Sequence, residues 1–64
     1  MNAREIYDIL VASGWTFEAY RSSRGEILCY TAIHSNGSVL TSNSANLDTS
    51  LREFYNAIVG FHAV

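Results

Sequence analysis

The side chains of this chain that could do chemistry are two histidines, one cysteine, a pair of glutamates beside a turn and several serines. His34 and His62 could serve as acid–base groups or metal ligands. They lie far apart in sequence, and neither has a second nitrogen, thiolate or carboxylate at the spacing of a tetrahedral metal site. Glu18 and Glu26 flank a turn, but paired-acid catalysis needs a cleft, and a chain of 64 residues has little material to build one. They read as solvated acids at strand ends. No serine sits in a strand–turn–helix elbow, and Gly14, Gly25, Gly37 and Gly60 stand singly, so no phosphate-binding loop is present. The expectation is a protein with no catalytic residue, no metal and no cofactor.

Charge narrows the partners. Six acids against four arginines, with no lysine, give a net charge of −2. Nucleic-acid binders carry a basic stripe that displaces counterions from phosphates. Here Arg4, Arg21, Arg24 and Arg52 are scattered, which disfavours nucleic acid and leaves a protein as the expected partner. Cys29 is the single cysteine, so no internal disulfide can form, and its apolar neighbours Ile27, Leu28 and Ile33 suggest a buried thiol. A reducing compartment, the cytoplasm, is expected. No secretory leader and no membrane-spanning apolar run is read in the sequence.

The elements that must position these groups follow from periodicity. Asn2 and Glu5 have the spacing of a helix-capping pair, Ala3, Ile6, Ile9 and Leu10 fall on one helical face, and Gly14 suits the left-handed residue that ends a helix. Arg4 and Asp8 are four apart and can pair. A second helix carries the stripe Leu47, Leu51, Phe54, Ile58 and Phe61, capped by Asn46 or Asp48, with Gly60 weakening its last turn so that Phe61 to Val64 is expected to fray. Between them the period becomes two. Strands are expected at Trp15–Arg21, Glu26–His34 and Ser38–Asn43. The fold class is α+β: residues 1–64 form one two-layer α-β-β-β-α domain, a three-stranded antiparallel meander with both helices on one face.

Turn chemistry sets the expected register. Asn36-Gly37 favours a two-residue type I′ hairpin, pairing Ile33 with Leu40. A three-residue loop Ser23-Arg24-Gly25, with Gly25 left-handed in a bulge, pairs Ala19 with Cys29 and Phe17 with Thr31; a two- or four-residue loop would instead set Trp15 and Phe17 beside Leu28 and Tyr30. The three-residue loop collects Trp15, Phe17, Ala19, Cys29, Ile33 and Leu40 on one apolar face. Thr16, Glu18, Tyr20, Leu28, Tyr30, Ala32, His34, Val39 and Thr41 then form the open face. Grouped aromatics are enriched at interfaces, so Glu18, Tyr20, Leu28, Tyr30 and His34 are the expected partner-binding residues.

The opening Ala3-Arg4-Glu5-Ile6-Tyr7-Asp8-Ile9-Leu10, followed by Ser13-Gly14-Trp15 leading into a strand, resembles the start of HicA-type toxins, small α-β-β-β-α proteins related in fold to double-stranded-RNA-binding domains. The resemblance implies the fold and an RNA-cleaving activity that rests on a histidine after the first strand. Here that region reads Arg21-Ser22-Ser23-Arg24-Gly25 and has no histidine, and the family's lysine-rich segments are missing. The leading expectation is therefore a non-enzymatic protein-binding module. In size and charge it is similar to phage or mobile-element inhibitors of a host nucleic-acid machine, such as anti-CRISPR proteins. The alternatives are a HicA-like RNA binder or ribonuclease using His34, and a homodimer formed through the third strand or the tyrosine face.

Overall fold

A computed structural model describes the backbone of residues 1–62 and the side chains of residues 1–60. The element order is α1 (Ala3–Ala12), β1 (Trp15–Arg21), β2 (Ile27–His34), β3 (Val39–Thr41) and α2 (Leu47–His62), the expected α-β-β-β-α. The strands form one antiparallel sheet in the order β1-β2-β3.

Local chemistry sets the helix ends. Oδ1 of Asn2 accepts from the N–H of Glu5 at 2.8 Å, satisfying a donor that the first turn leaves free. Ser13 caps the other end of α1, and Gly14 follows at φ +99°. At α2, Asn46 rather than Asp48 is the cap: its Oδ1 accepts from the N–H of Thr49 at 3.0 Å. Arg4 and Asp8 pair at 3.3 Å on an exposed surface, where such a contact is worth about 0.5 kcal/mol or less. α2 continues helically through Gly60 to His62, so the backbone of Phe61 and His62, expected to fray, is helical; their side chains, and residues 63–64, lie outside the described residues.

Both helices lie on one face of the sheet. The core is Ile6 and Leu10 from α1, Leu51 and Phe54 from α2, and Trp15 and Ala32 from the sheet, with Phe17, Tyr30, Leu40 and Ile58 packed around it. Ile9, expected inward, is 43% exposed. Its position beside Leu10 turns it to the rim of the apolar stripe.

Two features of register differ from expectation. The second hairpin is a three-residue loop, not a type I′ turn. His34 and Ser38 close it, with the His34 N–H donating to the Ser38 carbonyl at 2.8 Å and the Gly37 N–H to the His34 carbonyl at 2.9 Å. Gly37 alone has positive φ, +95°, while Asn36 does not, the pattern of a type I turn followed by a glycine bulge. Leu40 therefore pairs with Ala32 rather than Ile33. A two-residue loop would have set Leu40 beside Ile33, on the side away from the helices. Burial of Leu40 outweighs the local preference of Asn-Gly.

The first hairpin has the expected Ser23-Arg24-Gly25 loop, with Gly25 at φ +85° and the Ser22 N–H donating to the Glu26 carbonyl at 2.8 Å. A further bulge follows. Arg21 pairs with Ile27, but Tyr20 pairs with Cys29, leaving Leu28 without a partner on β1. The extra residue shifts the rest of β2 by one, and a one-residue shift turns every later side chain to the other face. Ala19 pairs with Tyr30 and Phe17 with Ala32, not with Cys29 and Thr31. Ala32, expected outward, is 0% exposed. A methyl group at the centre of the middle strand lets the helices close onto the sheet, where Ile33 or Thr31 would hold them off.

Candidate functional site

The corrected register redraws the face that the helices leave open. Alternation places Thr16, Glu18 and Tyr20 of β1, Cys29, Thr31 and Ile33 of β2, and Val39 and Thr41 of β3 on it. Across the strands, Ile33 stands between Thr16 and Val39, Thr31 between Glu18 and Thr41, and Cys29 beside Tyr20. Val39 is 56% exposed and Tyr20 61%. Glu18 is the formal charge among these residues, near the middle of the patch.

Of the residues expected to bind a partner, Glu18 and Tyr20 lie on this face. Leu28 is half exposed at the bulge. Tyr30 and His34 do not belong to it: the bulge turns both to the helix side, where Tyr30 packs against the core. Cys29, Thr31 and Ile33 take their places. Cys29 is accordingly only partly covered, not the core thiol its neighbours suggested. Sequence reasoning missed Ile33 because it was counted as core. The signal was Ala32, the smallest side chain of β2, at the centre of the middle strand.

His34 has a structural post. Its Nδ1 accepts from the N–H of Asn36 at 3.1 Å, and Nε2 lies 2.7 Å from the Ser13 carbonyl. These partners assign the neutral tautomer with the proton on Nε2, which donates to Ser13. The ring also meets Trp15 edge-on, with centroids 4.9 Å apart. A proton-shuttling histidine needs a ring nitrogen free to reach substrate, and here both are spent fastening the second hairpin to the end of α1. Cys29 and His34 lie on opposite faces of the sheet.

Beside this post, Trp15, His34, Leu40 and Ile58 border a groove of about 600 Å³. Its polar rim, Ser13, Asn36 and Ser38, is occupied with turn contacts: the Asn36 side chain accepts from the Ser38 N–H at 2.9 Å and Ser13 Oγ donates to the Ile9 carbonyl at 2.9 Å. The serines at the other end are also structural. Ser50 is fully buried and its Oγ lies 2.8 Å from Oγ of Ser42 and 2.9 Å from the Ser44 carbonyl. Ser42 Oγ accepts from the Tyr30 N–H at 3.0 Å, standing in for the carbonyl that the ladder would supply next.

Among the described residues no helix is long and apolar enough to cross a membrane. Comparison of the chain with protein-family models, with characterised proteins and with solved structures finds no match.

Proposed function

We propose that this chain is a non-enzymatic binding module that docks onto another protein through the open sheet face. One observation carries the reading: Ile33 and Val39 are cross-strand neighbours on a face that neither helix covers, and Tyr20 stands exposed beside Cys29 at the other end of the same face. An antiparallel sheet can keep one wet face, but a wet face needs no Ile–Val pair at one end and exposed Tyr at the other. Tyr supplies apolar area and a hydroxyl together, the combination favoured at the centres of interfaces.

Charge defines the partner's chemistry. Glu18, with Thr31 and Thr41 in its row, lies between the Tyr20 end and the Ile33–Val39 end of the face, on a chain of net charge −2, so the matching surface has apolar contacts at both ends and a cationic side chain opposite Glu18. A protein that itself handles nucleic acid has such a surface, which keeps inhibition of a nucleic-acid machine as the biological setting of this proposal. The engagement of both His34 nitrogens supports the non-enzymatic reading over a ribonuclease.

The test is affinity capture from host lysate with four baits. The unaltered chain and an Arg4→Ala control, changed on the helix side, should retain the same protein. Tyr20→Asp and Val39→Asp, shown to be folded by circular dichroism, should lose it, since truncating a central aromatic costs about 2 kcal/mol or about 30-fold in affinity. Retention by both Asp variants would reject the open face as the docking surface.

A further inference from the structure

The sheet has two edges, and they are not equal. The Gly14 carbonyl accepts from the Ser35 N–H at 3.0 Å, so Gly14, Thr16, Glu18 and Tyr20 direct their backbone groups toward β2. Antiparallel pairs alternate; Trp15, Phe17, Ala19 and Arg21 therefore direct theirs to the outer edge. No hydrogen bond from any described residue reaches them. On β3 the same count starts from the His34–Ser38 bond and leaves only Val39 and Thr41 facing out.

Proteins blunt exposed edges with proline, lysine or an edge bulge. The chain has no proline and no lysine, and its bulge lies on β2, not on β1. The charges on β1, Glu18 and Arg21, are of opposite sign. An edge of this kind is open to pairing with a further strand.

The sequence of β1 selects the strand. In a two-fold antiparallel pair, an axis at Glu18 would oppose two carboxylates about 4.5 Å apart at the backbone, which like charges disfavour. An axis at Phe17 would centre the contact where β1 is covered by the Tyr7 ring and the core. An axis at Ala19 sets methyl against methyl and Tyr20 opposite Glu18 of the second copy, where a hydroxyl–carboxylate contact is available, while Phe17 keeps its ring against Tyr7 and Phe54 and Arg21 its bond to the Gly25 carbonyl. It also uses Glu18 to Arg21, the stretch of β1 that is exposed.

We propose that β1 pairs with β1 of a second copy, antiparallel about Ala19, joining two sheets into one of six strands. The edge shares Glu18 and Tyr20 with the open-face reading, but its test turns on Ala19, whose side chain lies on the helix side of β1, so the two readings can fail separately. It is tested by sedimentation equilibrium on the full chain up to about 1 mM, with cross-linking to read the register. The unaltered chain sediments as a dimer in this range. Ala19→Pro removes the outward N–H of each copy without touching a β2 bond, and Ala19→Lys opposes two cations; each weakens the dimer about tenfold or more. In a Cys29→Ser background, Ala19→Cys forms an interchain disulfide, because paired Cα atoms about 5.5 Å apart lie within disulfide reach, and Thr41→Cys does not. A monomer across the range, a dimer indifferent to both Ala19 variants, or cross-linking at Thr41 in place of Ala19 would overturn the proposal.

Discussion

Gly14 joins the end of α1, the start of β1 and the second hairpin, and its replacement by alanine has two separable costs. At φ +99°, any side chain is strained by about 1–2 kcal/mol. The added methyl would also sit 3.0 Å from Nε2 of His34 and 3.0 Å from Oγ of Ser35. Ser35 can rotate its hydroxyl away. His34 cannot yield without stretching its 2.7 Å bond to the Ser13 carbonyl, which costs about 1 kcal/mol more. Gly14→Ala should therefore cost about 2–3 kcal/mol, against a total stability of about 3–10 kcal/mol for 64 residues. Gly25→Ala supplies the reference: φ is +85° but nothing lies within 4 Å, so strain alone is paid. At about 4–8 °C per kcal/mol, Gly14→Ala melts about 10–20 °C below the unaltered chain and Gly25→Ala falls clearly less. Trp15 is the sole tryptophan and touches His34, so its fluorescence reports the melt directly. In a His34→Ala background the excess cost of Gly14→Ala over Gly25→Ala should vanish. Equal losses for the two glycine variants, or an excess that survives removal of His34, would refute the assignment of His34 as the fastening post.

Register makes a second prediction. Cys29→Ala should cost about 1 kcal/mol or less because the thiol is on the open face, whereas Ala32→Leu, overfilling the position beneath the helices, should cost about 1–3 kcal/mol in urea unfolding; the reverse order would restore the unbulged pairing. The serine cluster makes a third. Ser42→Ala strands the Tyr30 N–H and should cost about 1–3 kcal/mol, while Ser50→Ala leaves Ser42 able to donate to the Ser44 carbonyl at 3.2 Å and should cost about 1 kcal/mol. Native-state hydrogen exchange at Tyr30 should accelerate in the first variant and not in the second.

Local chemistry was enough for the element order. Asn2, Asn46 and Gly14 mark helix ends because each satisfies, or frees, backbone groups within four residues of itself. Trp15 and Phe17 face inward as their alternation indicates, and Ser23-Arg24-Gly25 forms the loop its glycine suggests. The strand pairing was not available from the same reasoning. Asn36-Gly37 is compatible with two loops of different length, and the choice rests with Leu40, whose burial depends on helices distant in sequence.

The candidate site followed the same division. Glu18 and Tyr20 were legible because β1 alternates without interruption. Tyr30, His34, Cys29 and Ile33 exchanged faces because of one unpartnered residue, Leu28, which nothing in its neighbours announces. Sequence by itself determined the two helices, the three strands and the bounds of β1, since those depend on contacts a few residues apart; β3 is shorter than its expected Ser38–Asn43, spanning Val39–Thr41. Tertiary structure alone decided which side of β2 meets solvent. A bulge costs little locally, and it is stabilised by placing Ala32, rather than a bulkier neighbour, under α1 and α2.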